Sequence, residues 1–180
     1  MQRTTRRCAQ RGLTMIGTCM ALAIAGILAS TALRMLLEAR ARAVAEGLSW
    51  ELGAGLRYAR SEAVARNEGV RFSFYESPAG RCYVIHTGDR SDCRCEGGGP
   101  AQCDGEAVAL RSAFQPIGAP AQLVASVNSI LFNARNGMAL PGGTVCVVPS
   151  TGRQIRHTVN PTGRVRNCSP AAAAGACEPC

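Results

Sequence analysis

The chain has 180 residues with 20 arginines, no lysine, 12 acids and a formal net charge of +8. That length holds one domain with a modest core, and the absence of a repeat or a second long apolar run excludes an array or a polytopic membrane protein. The basic excess is uneven: residues 13–106 are close to neutral, whereas residues 107–177 hold six arginines and no acid.

At the start, Arg3, Arg6, Arg7 and Arg11 form a basic leader without an acid, which ends Gln10-Arg11-Gly12. Behind it, Leu13 to Leu33 is a run of 21 residues without a charge. As a helix such a run crosses a bilayer core of about 30 Å. The arginines ahead of it keep the leader in the cytoplasm and send the C-terminus outward. An uncleaved anchor, or a secretory signal cut near Ala29 or Ala32, fits the leader and run as well.

Helical periodicity continues beyond the run. Leu37, Ala41, Val44, Leu48, Leu52, Leu56, Ala59 and Ala63 recur at three- and four-residue steps as one apolar stripe. Glu38 with Arg42 and Glu62 with Arg66 are Glu-first pairs that support an exposed helical face. The helix is expected over 13–67, with 13–33 in the membrane, ending near Asn67 ahead of Gly69.

From there the pattern is that of strands. Val70–Tyr75 and Cys82–His86 flank the turn Ser77-Pro78-Ala79-Gly80. Residues 88–105 read as a surface loop, and 107–113, 127–132, 144–148, 154–159 and 164–167 as further strands. Short strands after a single helix indicate an α+β domain, with a small antiparallel sheet over 68–168 packed on that helix. Residues 169–180 form an irregular, cysteine-containing tail.

Of ten cysteines, Cys8 lies in the leader and Cys19 in the apolar run. The other eight are Cys82, Cys93, Cys95, Cys103, Cys146, Cys168, Cys177 and Cys180. An even number in an exported, loop-rich domain reads as a disulfide framework. A clamp from Cys146 to Cys168 across the C-terminal strands is the attractive pairing. Zinc is the weaker alternative: Cys93-x-Cys95 and Cys177-x-x-Cys180 have ligand-like spacing, but His86 and His157 lie in neither cluster. No nucleophile elbow, phosphate loop or zincin motif is present, and neither catalytic residues nor a cofactor are expected.

The sharper signal is basic. Arg164 and Arg166 are two apart and share a strand face, and Arg153 and Arg156 belong to the preceding strand. Four guanidiniums on one hairpin suit the phosphate oxygens of double-stranded DNA. Arginines on an edge hairpin also discourage strand pairing, so a purely structural reading stands beside this one.

These residues carry a resemblance. The leader ending at Gly12, followed by Leu13-Thr14-Met15-Ile16, resembles the signal of type IV pilins and pseudopilins. The segment Ala59-Arg60-Ser61-Glu62-Ala63-Val64-Ala65-Arg66-Asn67 and the closing Gly163-Arg164-Val165-Arg166 resemble the GspH/FimT family of minor pilins and pseudopilins. The resemblance implies a pilin-like fold in the bacterial inner membrane with a periplasmic domain, and partners among the other subunits of a filament. It implies cleavage by a prepilin peptidase between Gly12 and Leu13, with methylation of the new amino terminus. Some FimT-like members bind DNA through a Gly-Arg-x-Arg motif, here Gly163, Arg164 and Arg166. The alternative is a structural pseudopilin of type II secretion. The family's usual Glu at the fifth mature position is Gly17 here, which suggests a place at the filament tip or in a priming complex.

Overall fold

The computed structural model describes residues 15–95, 97–169 and 177. The expected leader 1–12, the Gly12–Leu13 junction, Cys8, Cys180 and most of the expected tail lie outside the described residues. Among the described residues, one helix, α1 (Met15–Arg66), is followed by eleven strands. The chain divides into two compact units between Leu37 and Glu38.

In the first unit, every described residue but Thr18 is exposed. Met15, Ile16, Met20, Leu22 and Ile27 present their side chains outward with nothing packed over them. The few hydroxyls turn back on the helix: Thr18 donates to the Met15 carbonyl at 2.8 Å, Ser30 to that of Ile27 at 2.8 Å, and Thr31 to that of Leu28 at 2.9 Å. Up to Leu33 the surface carries no charge and its hydroxyls are satisfied within the helix, which is what a lipid environment demands. This segment has the length and composition of a membrane span.

The second unit is built on the rest of α1. Ala41, Ala45, Leu48, Leu52, Leu56, Ala59 and Ala63 are buried at three- and four-residue intervals, as the stripe predicts. Two expected members differ: Leu37 is exposed in the first unit, and Val44 is only half-buried. Asn67 ends the helix at φ 51°, with Asn67 N–H donating to the Val64 carbonyl and Glu68 N–H to that of Ala63. Asn is one of the few non-glycine residues that adopts this left-handed cap readily.

The strands form two principal antiparallel sheets rather than one. The first comprises β1 (Val70–Ser77), β2 (Gly80–Thr87), β5 (Ala109–Pro116), β7 (Ser129–Phe132) and β8 (Ala139–Leu140), in the order β5-β2-β1-β7-β8. The second comprises β6 (Ala121–Ala125), β9 (Gly143–Pro149), β10 (Ile155–Val159) and β11 (Val165–Cys168), in the order β11-β10-β9-β6. β3 (Cys93–Arg94) and β4 (Gln102–Cys103) make a small ribbon within the expected loop.

Alternation sorts each sheet. Val70, Phe72, Tyr83, Ile85, Ile130 and Phe132 of the first sheet join Leu123, Val145, Val147 and Val159 of the second in one core with the α1 stripe. Phe72 stacks on Tyr83 with centroids 4.7 Å apart, and Tyr83 Oη–H donates to Glu51 of α1 at 2.9 Å. Burial, then the Glu51 carboxylate, raises the Tyr83 pKa and keeps the phenol neutral. The outer face of the first sheet is covered by the loop from Gly88, where Cys82–Cys95 and Cys93–Cys103 bridges surround a second small core with Val84.

Candidate functional site

The expected basic hairpin forms, but its four arginines do not share a face. β10 and β11 pair with Val159 opposite Val165, Thr158 opposite Arg166 and Arg156 opposite Cys168. Val159 and His157 point toward α1, so Arg156, Thr158, Arg166 and Cys168 belong to the outer face. On that face Arg156 is buried, 6% exposed, and stands opposite Cys146 of the neighbouring strand, which is bonded to Cys177. Arg153 precedes β10 and lines a different cleft beside Arg42 of α1. Spacing alone shows part of this, since residues three apart on a strand point to opposite faces. Arg164 and Arg166 remain exposed on the sheet's edge.

Gly163 has a structural task. Its φ is +75°, and a Cβ there would lie 2.0 Å from the Gly137 carbonyl oxygen. Only glycine lets the 160–163 turn approach the 133–138 loop so closely. Gly163 N–H donates to the Asn160 carbonyl at 2.8 Å, and Ala139 N–H to that of Pro161 at 2.9 Å. Arg60 packs at the same junction, its Nε 3.0 Å from the position a Gly163 Cβ would take. Sequence reasoning missed Arg60 beside Gly163, because more than a hundred residues separate them and only tertiary packing joins them. Among the described residues, Arg60, Arg164 and Arg166 take part in no ion pair.

The cysteines resolve differently from the expected clamp. Cys146 pairs with Cys177, not with Cys168. Cys146 and Cys168 both face Arg156 from opposite sides of β10, so two strand spacings, about 9.6 Å, separate them. A disulfide needs Cα atoms closer than about 7 Å. Cys168 is nonetheless disulfide-bonded. Cys93 and Cys95 enter separate bridges, and among the described residues no three His, Cys, Asp or Glu side chains gather as a metal site requires.

Both histidines are buried beside serines. Ser73 Oγ lies 2.9 Å from His86 Nε2 and 3.2 Å from Ser129 Oγ, while His86 Nδ1–H donates to the Thr87 carbonyl at 2.8 Å. His157 Nε2 lies 2.8 Å from Ser49 Oγ on α1. Desolvation lowers the pKa of each, and Arg57 lowers that of His157 further. Ser73 and His86 are respectively 1% and 0% exposed, so a substrate could not reach the pair. These contacts hold strands and helix together.

The family model described as "Type II transport protein GspH" matches residues 48–163. Among solved structures, the type IV minor pilin FimU of Pseudomonas aeruginosa superposes with a TM-score of 0.54 at 19% identity, over 74% of this chain and 97% of that one. The minor pseudopilin EpsH from the type 2 secretion system of Vibrio cholerae gives a TM-score of 0.48 at 13% identity, over 71% of this chain and 98% of that one. A comparison with curated proteins finds no match. The matched residues run from the buried stripe of α1, through both sheets, to the glycine that seats the last hairpin, and by them the chain belongs to the GspH family.

Proposed function

We propose that the chain is a minor pilin or pseudopilin: a subunit held in the bacterial inner membrane by the first part of α1 and drawn into a type IV-like filament or its tip. The observation that carries this reading is the change of environment along α1. Residues to Leu37 have no protein packed over them, whereas residues from Ala41 form the spine of a β-domain that matches the GspH family. In this reading the leader stays cytoplasmic, a prepilin peptidase cuts between Gly12 and Leu13, and the domain faces the periplasm. Gly17 cannot supply the carboxylate that a neighbouring amino terminus would use, which favours a tip or priming position. The test is to shear filaments from cells carrying the chain and blot them. It should be present in amounts far below the major subunit, and Gly17→Glu should raise its share. Filament number and secretion unaffected by deletion of the chain would contradict the role.

Contact with DNA is a second reading, favoured by Arg164 and Arg166 standing exposed without an ion pair among the described residues. Two phosphate contacts give a salt slope of about −1.8, or roughly a tenfold loss between about 50 and 200 mM salt. The buried Arg156 reduces the expected affinity below that of a four-arginine patch. Equal duplex binding by the native chain and an Arg164→Ala/Arg166→Ala variant would dismiss the reading.

A further inference from the structure

The first sheet carries a chain of buried hydrogen bonds that ends at a cleft. Arg71 of β1 stands opposite His86 of β2, and Ser73 of β1 opposite Ser129 of β7. Val70, Phe72, Ile85 and Ile130 point into the core, so alternation puts these four on the other face of the sheet. There Arg71 and Ser129 line a cleft of about 360 Å³ together with Arg90, Ser126 and Asn128. Ser129 is 7% exposed, while Ser73 and His86 are out of reach of solvent.

Counting protons sets the direction of the chain. His86 Nδ1–H donates to the Thr87 carbonyl, so in the neutral ring Nε2 is bare and accepts from Ser73 Oγ–H. Ser73 then has no second proton, and its 3.2 Å contact with Ser129 is closed by Ser129 Oγ–H donating to Ser73. Ser129 therefore turns lone pairs, not a hydrogen, toward the cleft. A proton taken up by His86 goes to Nε2 and reverses every link. Nε2–H donates to Ser73, Ser73 donates to Ser129, and the Ser129 hydroxyl hydrogen is released into the cleft.

The rest of the lining suits one negative charge. Arg71 is held by the Gly88 carbonyl at 3.0 Å and lies 3.5 Å from the Asp89 carboxylate, which offsets part of its charge. Arg90 is exposed and in no ion pair among the described residues. Ser126 Oγ accepts the Thr144 N–H at 2.9 Å, which leaves its own hydroxyl hydrogen to donate. A carboxylate has acceptors only, so it meets lone pairs at Ser129 in one state and a donor in the other. A phosphate keeps a P–OH in mild acid, and that group can donate to Ser129 in either state.

We propose that this cleft binds a carboxylate, borne by a small acid or a peptide terminus, and that proton uptake at His86 tightens it through Ser73 and Ser129. The charges facing His86 are Arg71 on β1, which opposes its protonation, and Asp92 of the loop from Gly88, which favours it. Its partner on β5, Ala109, carries none. Burial further opposes the charged ring, so the change falls on the acid side of an ordinary histidine. The proposal does not depend on the filament reading.

The full chain in mild detergent is titrated by NMR with N-acetylglycine, a carboxylate that stays ionised down to about pH 4.5. From about pH 8 to about pH 4.5 its affinity should rise about tenfold, the effect of one hydrogen bond to a charged group. Saturating ligand should raise the His86 pKa by about one unit, since the coupling is reciprocal. Ser73→Ala keeps the cleft and its arginines but breaks the chain, so it should bind as the native chain does at about pH 8 and lose both effects. Ser129→Ala should lose them too, and Arg90→Ala should weaken binding about tenfold at every pH. No binding at millimolar ligand, a native affinity that is flat with pH, or a gain that survives Ser73→Ala overturns the proposal. So does equal binding of N-acetylglycinamide, which lacks the carboxylate, or an equal gain with inorganic phosphate.

Discussion

The two parts of α1 share a backbone conformation and differ in almost everything else. Up to Leu33 the helix carries no charge and exposes every described residue but Thr18; from Ala41 it buries one stripe and exposes charged residues on the rest. A helix apolar all round is solved by lipid, while a striped helix is solved by a sheet. The first part therefore decides where the protein resides, and the second decides whether its domain folds.

Substituting leucines in each part gives the largest contrast. Leu56 is fully buried, so Leu56→Ala should cost the domain about 2–5 kcal/mol. Leu28 is 63% exposed, and Leu28→Ala should leave the unfolding midpoint of the detergent-solubilised chain where it is. Urea titration of both variants checks this, and comparable losses would erase the division. The glycines sharpen it. A Cβ on Gly55 would already lie 3.2 Å from Phe72 Cε2, whereas one on Gly26 meets nothing within 4 Å. Gly55→Leu should therefore cost about 1–3 kcal/mol by overpacking, and Gly26→Leu nothing measurable in the same titration.

The smallest effect is a pH dependence confined to the second unit. Burial keeps His86 and His157 below their ordinary pKa, so the unfolded chain takes up their protons first as pH falls past about 6.5. Their contribution to stability is complete above that pH. Below it the loss is up to about 1.4 kcal/mol per pH unit for each group, until its own folded pKa is reached. Unfolding midpoints measured from neutral to mildly acidic pH should show this decline, and a His86→Gln/His157→Gln variant should flatten it.

Much of this was legible in the sequence. The charge-free run, the stripe from Ala41 to Ala63 and the stop at Asn67 are local patterns, and the structure reproduces them. Strands rich in aromatic or β-branched residues, such as Val70–Tyr75 and Thr144–Val148, announce themselves for the same reason. β6 did not: Ala-Gln-Leu-Val-Ala after Pro120 has weak strand propensity, and pairing with β9 makes it a strand. The division into two sheets depends on which strands meet, which local pattern does not encode. The basic surface misled in a similar way. Arg156 looks from its spacing like a surface residue, yet it is buried opposite Cys146 of the neighbouring strand. Gly163, read as part of a binding motif, owes its identity to a carbonyl at Gly137.

The claim that α1 divides anchoring from folding is tested most directly by placing charge in its first part. Two arginines at Leu22 and Ile24 should cost about 5–7 kcal/mol of membrane insertion. The native chain should stay in the membrane pellet through an alkaline carbonate wash. The Leu22→Arg/Ile24→Arg variant should leave that pellet while its domain unfolds at the native midpoint. A variant that remains embedded, or one whose domain unfolds along with the loss of anchoring, would contradict the account.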